Sequence, residues 1–538
     1  MRVLERRRAV VAVLIIIGIL SSSLLDAMNQ KNKPLEEFKI ADVIIAPDFD
    51  WEFYAATNKE TKLTKPEDLY NHYLQVGKAQ GKLPRPSPPE TAFNWVYYVQ
   101  NNADLRANNI TTKEAAYRHY LMFGKKEGRQ SQAPRESYEV WLQHRTPLPV
   151  VLDSSQPVRL NILMCGVGFD FTGGPLSIFH FAVLAAKQGI NVRWINIDNS
   201  GISEKEMVTH MKKYDGLGEF GDLVPYIRDG QHQLEIRTNP DDIFMATIYF
   251  TALMASATQK LLNYPYIIYF IQDFEPIFFP KNSDFIEAME SYDVPHFAIY
   301  STTFLRDYFE ATKQGTYQWS KRQGDFRSYA SMPAIKPFGE VVLTPHKPGK
   351  KRRLVMYARP HAPRNAFELS VSALSEAIRQ DILNPDEWEF IGLGATGSNA
   401  ICGLGGKPNA CLVMAKNMPE PQYKAMLMGA DIGISLMISP HPSLPPFDFA
   451  AAGCVTVTNS FETKTQESFD KVSKNIIAAK PSLVGIVHGI KLAVSRINDL
   501  PSRLEGAKLQ WSTRWDDDGC YGDPLFKGKI RKWMQHRG

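Results

Sequence analysis

The sequence predicts an α/β protein built from two Rossmann-like domains that face a cleft. Two runs of the chain, beginning near residues 160 and 353, alternate short apolar strand patterns with longer helical patterns. This alternation is typical of parallel sheets covered by helices. Residues 343–353, with two prolines, a glycine and four consecutive basic residues, predict the linker between the runs. Because ligand sites favour clefts between domains, we expect the functional residues there.

The composition is that of an ordinary globular protein, with 44% hydrophobic and 22% charged residues in a chain of 538. The net charge of +5 comes without a long basic stripe carrying interleaved aromatics, which argues against nucleic-acid binding. Five scattered cysteines form neither a disulfide framework nor a zinc spacing, and they favour a reducing interior. Pairing of Cys402 with Cys411 across a glycine-rich loop stays open as an alternative.

The N-terminus carries the one targeting signal in the sequence. Three arginines at residues 6–8 precede an uncharged run at residues 9–25, which is at the lower limit for a membrane-spanning helix and lacks a clear cleavage site. We expect an uncleaved anchor that associates the protein with a membrane, or a segment that only lies on the surface. The catalytic part is then expected in the cytoplasm of a bacterium or in the Golgi lumen of a eukaryote.

Residues 49–83 and 93–129 are two copies of one aromatic unit, and each copy predicts a small helical hairpin. His72 and His119 recur at matching positions without a carboxylate or cysteine partner at ligand spacing, so we interpret them as core or capping residues rather than metal ligands. Asp48 and Asp50 form an Asp-x-Asp pair, but the pair begins a repeat that recurs with Asn94. We therefore expect it to be structural, and we expect no metal site.

The predicted divisions of the chain follow from these patterns. They are an anchor-like segment at 1–30, two helical repeats within 40–135, a first α/β domain at 150–342, the linker at 343–353, a second α/β domain at 354–505 and a helical extension at 506–538.

A glycine-rich loop follows the first predicted strand, at residues 160–165, and leads into a helix predicted at 175–188. A dinucleotide-binding fingerprint fails here because Phe171 occupies the position of the third glycine, so we expect no nicotinamide cofactor. Gly173 and Gly174 still allow a ligand to approach the backbone closely.

Two acids follow the strand predicted at residues 266–271. Asp273 and Glu275 therefore lie at the carboxyl end of a buried strand, where open α/β sheets bind ligands. The alternative is a surface turn held by Pro276.

The most informative stretch, residues 439–453, lies between strands predicted at 431–438 and 454–459. Pro445 and Pro446 suit the first turn of a short helix, and Gly453 suits its left-handed end. The loop entering such a helix is a natural cradle for phosphate, and Asp448 is available to neutral hydroxyls, which indicates a sugar nucleotide. The alternative is an acid that only complements the helix dipole.

Together these motifs resemble the family-4 glycosyltransferases of GT-B fold, and most closely the WsaF-type rhamnosyltransferases. The resemblance covers about residues 158–500 and rests on motifs that are specific in combination. They are Asn161 to Leu163 with Gly173 and Gly174, Phe270 to Pro276, Tyr357 to Pro360 with Arg364 and Asn365, and Ser439 to Ser443 with Asp448.

The resemblance implies roles for particular residues. Arg359 and Lys416 would meet the donor diphosphate, and Asp273 would orient the acceptor hydroxyl or act as a base. Two positions depart from the family: Asp448 replaces a glutamate that binds the nucleotide, and Leu444 replaces an aromatic that packs on the base. The residues expected at the site are Asp273, Arg359 and Lys416 as catalytic residues, and Gly173, Gly174, Glu275, Arg364, Ser443, Leu444 and Asp448 as substrate-binding residues.

The implied reaction is transfer of a sugar, such as rhamnose or another deoxyhexose, from a nucleoside diphosphate sugar to a hydroxyl of a glycan or lipid-linked glycan in surface polysaccharide synthesis. The resemblance implies retention of configuration, no metal ion and no cofactor. Two alternatives stay open. One is a catalytically decayed glycan-binding scaffold, since Pro440 replaces the first acid of the family's glutamate pair. The other is a nucleotide-sugar epimerase of the same fold.

Overall fold

The structure is a computed structural model that divides into two compact units, residues 1–134 and 135–538. The anchor-like segment predicted at 1–30 lies outside the described residues. Within the described part of the chain, no helix is both long enough and apolar enough to cross a membrane. The described residues are 49–58, 61–78, 93–108, 110–124, 127, 129–130, 138–165, 173–198, 204–394, 400–415 and 418–535.

The first unit is helical in both copies of the aromatic repeat. In the first copy, the Tyr54 hydroxyl hydrogen-bonds Nδ1 of His72 at 2.9 Å, and a side chain at Gly77 would overlap that hydroxyl. Tyr98, His119 and Gly124 repeat the arrangement in the second copy, also at 2.9 Å. The helical segments are Trp51–Thr57, Pro66–His72, Tyr73–Gly77, Trp95–Gln100, Ala103–Ala107, Lys113–His119 and Tyr120–Gly124.

The acids and amides at the start of each copy cap helices. Asp50 accepts a hydrogen bond from the N–H of Phe53 at 2.9 Å, and Asn94 accepts one from the N–H of Tyr97 at 3.0 Å. This is the ordinary N-cap role of these residue types. Asp48 lies outside the described residues. Among the described residues, no group of three or more His, Cys, Asp or Glu side chains is placed to hold a metal ion.

The first sheet of the second unit has seven parallel strands in the order β4-β3-β2-β6-β7-β8-β9, and β1 pairs separately with β5. Every residue of β2, β3, β7 and β8 is buried, which explains the continuous apolar sequence of β7 and the mainly apolar sequences of the others. The strands are β1 Val150–Leu152, β2 Leu160–Met164, β3 Val192–Asn196, β4 Tyr226–Ile227, β5 Ile236–Thr238, β6 Ile243–Ala246, β7 Ile267–Ile271, β8 His296–Tyr300 and β9 Ser328–Ala330.

The second sheet has the order β12-β13-β11-β10-β14-β15-β16, and β12 is antiparallel to β13. Cys402 of β12 and Cys411 of β13 form a disulfide, so the open alternative for this pair is the one that the structure adopts. The strands are β10 Arg352–Tyr357, β11 Trp388–Leu393, β12 Ala400–Cys402, β13 Cys411–Met414, β14 Ile432–Ile434, β15 Val455–Asn459 and β16 Ile476–Ala479.

Helices connect and cover these strands. The longer ones are Tyr138–Gln143, Gly173–Lys187, Glu204–Met211, Phe220–Leu223, Tyr249–Gln259, Ser283–Glu290, Thr303–Thr312, Lys321–Arg327, Phe367–Arg379, Glu420–Met428, Pro445–Ala451, Gln466–Asp470, Leu483–Arg496, Leu500–Gly506 and Pro524–Met534. Single helical turns lie at Gly230–His232, Glu275–Phe278, Gly315–Tyr317, Pro363–Asn365 and Leu404–Gly406.

One predicted strand is shorter than expected. The pattern over residues 431–438 predicts a strand to Ile438, but β14 ends at Ile434. The N–H of Ser435 still donates to the carbonyl of Val457 in β15 at 3.0 Å, but the chain then leaves the ladder: Met437 donates to Oδ1 of Asn459 at 2.7 Å, and Ile438 donates to the carbonyl of Arg364 at 2.7 Å. The end of the apolar run is therefore a buried loop that carries the predicted site.

The C-terminal helix Pro524–Met534 returns to the first α/β domain. Trp533 stacks on Phe297 of β8, with ring centroids 5.0 Å apart, and Phe526 packs on Tyr329 of β9 at 4.5 Å. The extension predicted at 506–538 thus contributes to the core of the first domain, although its sequence neighbours belong to the second.

Candidate active site

The predicted site residues follow strands next to the topological switch point of each sheet. In the first sheet, β2 and β6 are adjacent, Gly173 opens the helix after β2, and Asp273 follows β7. In the second sheet, β10 and β14 are adjacent, Arg359 follows β10, and the loop Ser439–Leu444 follows β14. Open α/β sheets bind ligands at such carboxyl ends.

Asp273 of the first domain contacts the Ser439–Leu444 loop of the second. The Ser439 hydroxyl donates a hydrogen bond to Oδ1 of Asp273, and the N–H of Phe274 donates to the same oxygen at 2.9 Å. Ser439 in turn accepts a hydrogen bond from the N–H of His441 at 3.0 Å. Asp273 and Ser439 are both buried. The domains are therefore joined by a buried polar contact at the predicted catalytic acid.

Two cations lie near this contact. Nε of Arg364 is 3.9 Å from Oδ2 of Asp273, and the buried Lys464 donates to the carbonyls of Met437 at 2.7 Å and His441 at 3.4 Å. Burial raises the pKa of Asp273, opposed by the Ser439 hydrogen bond and by Arg364. Burial lowers the pKa of Lys464 to about 7, opposed by Asp273.

Lys464 is a site residue that the sequence analysis missed. It lies in the polar stretch Glu462–Thr465 after β15, and a lysine in such a stretch ordinarily indicates a solvated loop. No feature of the neighbouring sequence distinguishes Lys464 from an exposed lysine.

Arg364 is oriented by the turn that follows β10. Its guanidinium lies over the ring of Phe278, 4.7 Å from the centroid, and its carbonyl accepts the N–H of Ile438. Among the described residues its Nε has no hydrogen-bond partner. A buried donor without a partner beside a cleft is suited to an anionic ligand.

Arg359 lies on the same turn. Its Nη1 donates to the Tyr357 hydroxyl at 3.1 Å, and its Nε donates to Nε2 of His361 at 3.2 Å. Arg359 is thus held by neighbours on its own turn, whereas Arg364 contacts residues from elsewhere in the fold, Phe278 and Ile438. Lys416, the other predicted diphosphate ligand, lies outside the described residues, and its role stays a prediction.

The loop that enters the helix Pro445–Ala451 has a strained backbone. Ser443 has φ of +65° and is buried, and its N–H donates to Nδ1 of His441 at 3.0 Å. Burial lowers the pKa of His441 to about 3, so this ring stays neutral near pH 7. Strained residues that the surrounding structure holds in place are concentrated at ligand sites.

The two predicted glycines come close to the cleft. A Cβ built on Gly173 would lie 3.9 Å from Cδ1 of Leu444 in the second domain, and one built on Gly174 would overlap the side chain of Gln272. Gly173 therefore lies where the two domains meet, and a side chain at Gly174 would displace Gln272 within the first domain.

Asp448 is buried, and each of its two carboxylate oxygens accepts a hydrogen bond from the protein. Its Oδ1 accepts the N–H of Lys336 and its Oδ2 accepts the Tyr423 hydroxyl, both at 3.1 Å. Burial raises the pKa of this carboxyl to about 6. Each carboxylate oxygen retains a second lone pair, so hydroxyl binding by Asp448 stays a prediction.

Glu275 is also buried, and it caps a helix. Its Oε2 accepts the N–H of Tyr249, the first residue of the helix Tyr249–Gln259, at 2.7 Å. Burial raises its pKa to about 8. This capping bond accounts for the position of Glu275, and its predicted contact with substrate stays a prediction.

A separate groove of about 770 Å³ opens beside the first domain. Tyr138, which is 69% exposed, stacks on Trp141 with an interplanar angle of 17°. The opposite wall is the helix Ser283–Glu290, which follows Asp273 in the chain after one helical turn.

Comparison with known protein families matches both α/β domains. The model of the WsaF N-terminal domain matches residues 159–303, and the model of the WsaF C-terminal domain matches residues 352–491. Together they span more than half of the chain. The chain belongs to the WsaF family. This confirms the resemblance to WsaF-type glycosyltransferases and, with the two parallel-sheet domains, the GT-B arrangement.

Individual proteins similar to this WsaF-family chain share at most a quarter of their aligned residues with it in the examples that follow. The O-antigen biosynthesis protein RfbC of Myxococcus xanthus is 25% identical over 307 residues, which is 55% of this chain and 22% of the relative. The matched part therefore spans about a fifth of that relative's length. Anabaena HepE, solved with UDP and glucose, is 9% identical with a TM-score of 0.43 and covers 70% of this chain and 100% of its own. WaaG, a glycosyltransferase of lipopolysaccharide biosynthesis, is 13% identical with a TM-score of 0.43 over 70% and 99%.

Proposed function

We propose that this chain transfers a sugar from a nucleoside diphosphate sugar to a hydroxyl of a glycan or lipid-linked glycan in surface polysaccharide synthesis. The observation that carries the proposal is the buried contact of Asp273 with Ser439 beside Arg364. It brings an acid of one domain and a cation of the other to the carboxyl ends of both sheets. Family membership supports the reaction class.

Arg359 and Arg364 are proposed to bind the donor diphosphate, with Lys416 as a further cation. Charge develops on the diphosphate as the bond to the sugar breaks, and fixed guanidinium groups stabilise that charge. The Ser443–Leu444 loop and Asp448 are proposed to hold the nucleoside. Rhamnose or another deoxyhexose as the sugar, retention of configuration and independence of a metal ion or cofactor are proposed from the family resemblance.

Asp273 is proposed to orient the acceptor hydroxyl or to remove its proton. Its pKa is raised by burial, which brings a carboxylate closer to the range in which a general base is effective. The groove beside Tyr138 and Trp141 is proposed to hold more distant sugars of the acceptor, since the exposed ring of Tyr138 offers a flat apolar surface with polar groups around it. Membrane association through residues 1–30, with the catalytic part in the cytoplasm of a bacterium, is also proposed.

A second candidate is a glycan-binding protein with a decayed donor site. Asp448, whose two oxygens already accept protein hydrogen bonds, favours it. An epimerase of the same fold would instead convert its nucleotide sugar without an acceptor.

The test uses the full chain in detergent with thymidine, uridine, guanosine and adenosine diphosphate sugars. We expect one nucleotide class to raise the melting temperature and to be hydrolysed slowly to the free nucleoside diphosphate. Arg359→Ala should reduce that release by about 100-fold, because one charge-assisted contact in the transition state is lost. Arg379→Ala, on an outer helix where Arg379 pairs with Glu376, is the matched control.

The outcomes separate the candidates. Stabilisation without nucleotide release indicates the decayed site, and an isomerised sugar with no free nucleoside diphosphate indicates the epimerase. If no nucleotide sugar stabilises the chain, and Arg359→Ala behaves as the wild type does, the chain is not a glycosyltransferase.

A further inference from the structure

The helices Lys321–Arg327 and Pro524–Met534, together with Trp319 just before the first, carry exposed large apolar side chains. Trp319 is 75% exposed, Phe326 is 58% exposed and Leu525 is 61% exposed. Single exposed apolar residues are ordinary on soluble proteins, whereas a group of them marks an interaction surface.

The position of Phe326 in the helix Lys321–Arg327 directs its side chain toward solvent. A side chain at Gly324 would overlap the ring of Tyr317, so this side of the helix faces the core. Residues in a helix are 100° apart, so Arg322 and Phe326 lie about 200° from Gly324 and point away from the core. An aromatic residue and a cation therefore share the outer side of this helix.

The helix Pro524–Met534 also has a buried side and an exposed edge. Its inner side buries Phe526 and Trp533. Lys529 donates from Nζ to the carbonyls of Ser328 at 2.7 Å and Phe326 at 3.4 Å, which ties the two helices together. Leu525 lies one turn before Lys529 on the same side of the helix, and Lys532 lies about one turn after it.

The charges of this surface are mostly positive. Arg322 and Lys532 are exposed, and Lys529 lies between the helices. The acids nearby are engaged: Glu310 accepts a hydrogen bond from Nζ of Lys321 at 2.7 Å, Asp325 accepts one from the hydroxyl of Tyr317 at 3.0 Å, and Asp523 accepts one from the hydroxyl of Tyr329 at 2.9 Å.

We propose that this surface docks on an anionic lipid bilayer. The docking face is defined by Trp319, Arg322, Phe326, Leu525 and Lys532, and Lys529 joins the two helices beneath it. Trp and Phe side chains partition into the boundary between lipid head groups and acyl chains. Cations near an anionic membrane surface each strengthen binding about fivefold. The proposal is independent of residues 1–30, and it would bring the first α/β domain to a lipid-linked acceptor if the proposed function is correct.

The test places a polarity-sensitive dye on the full chain at Phe326→Cys and measures its emission with phosphatidylcholine vesicles that contain none or about 30% phosphatidylglycerol. We expect a blue shift with the anionic vesicles. The matched control is Val484→Cys, at an 80% exposed apolar residue of the second domain, where we expect no shift. If the chain sediments with the vesicles while the dye at position 326 stays in water, the proposal is wrong. Binding through residues 1–30 alone would give that result. Failure to bind vesicles overturns the proposal as well.

Charge reversal gives an independent measurement of the same proposal. Arg322→Glu with Lys532→Glu should reduce the affinity of the dye-labelled face for anionic vesicles about tenfold or more in about 0.1 M salt, and less in about 1 M salt. Lys471→Glu, in the second domain, combined with Lys508→Glu, just after it, is the control. An equal blue shift with neutral vesicles, or equal losses in both pairs, would contradict the proposed role of charge. A shift caused only by an added protein would indicate a protein partner instead and overturn the proposal.

Discussion

Lys464 is the residue whose environment most changes the interpretation of the site. Its ammonium group is buried and holds the carbonyls of Met437 and His441 on either side of Ser439. Burying a charge is costly unless hydrogen bonds and an opposite charge compensate, and here the opposite charge is Asp273. Lys464 is therefore a positioning residue for the loop that Asp273 contacts.

Lys464→Met tests the cost of that buried charge. The pKa of Lys464 is lowered to about 7, below its value in the unfolded chain, so the unfolded chain binds more protons between about pH 7 and 10. The free energy of unfolding of the wild type should therefore rise with pH in that window, by at most about 1.4 kcal/mol per pH unit, relative to Lys464→Met.

Urea unfolding of both proteins at pH 7, 8.5 and 10 measures the difference. Lys471→Met, at an exposed lysine, is the control and should run parallel to the wild type. Parallel curves for wild type and Lys464→Met would mean that Lys464 titrates as an exposed lysine does.

At the scale of elements, the helix Pro445–Ala451 forms as its local sequence predicts. Pro445 occupies its first position, and Gly453 follows its end with φ of +88°. Both effects are local, since proline needs no N–H in the first turn and glycine has no Cβ to clash in the left-handed region. The strand before it was predicted less well, because Asn459 and Arg364, distant in sequence, take the N–H groups that would extend β14.

Gly453→Ala should destabilise the protein by about 1–3 kcal/mol. The added Cβ would meet a positive φ and would lie 3.0 Å from Cδ2 of Leu343. Gly339→Ala is the matched control, because Gly339 has φ of +69° and nothing within 4 Å of its added Cβ. Thermal unfolding of both variants separates backbone strain from the steric contact, and equal losses would show that the contact with Leu343 costs nothing.

At the scale of the whole second unit, the C-terminal helix links the end of the chain to the first α/β domain. Phe526, Ile530 and Trp533 are buried there although the preceding helix Leu500–Gly506 packs in the second domain. The amphipathic pattern predicts a helix at the C-terminus, but the partner of its apolar side depends on the complete fold.

Trp533→Ala should lower the free energy of unfolding by about 3–5 kcal/mol, since it removes a large buried ring that stacks on Phe297. Leu525→Ala, on the exposed edge of the same helix, should cost less than about 0.5 kcal/mol. Calorimetry is the measurement, because it resolves the domain that melts first. A loss confined to the transition of the second domain would contradict the packing described here.

The α/β class, the order of the main strands and the positions of Asp273, Arg359 and the Ser439–Leu444 loop at strand ends are all predictable from local sequence patterns. These features depend on periodicity, caps and turn residues that act over a few positions. The same local signals, combined into motifs, were sufficient for the family.

Which of those residues meet depends on the packing of the folded chain. Asp273 and Ser439 are 166 positions apart, and Asp448 meets the backbone of Lys336 across 112 positions. Lys464 was indistinguishable from a surface lysine, and the pairing of Cys402 with Cys411 was one of two open alternatives. Such contacts depend on how whole domains pack, and no pattern within a few residues of each partner encodes that packing.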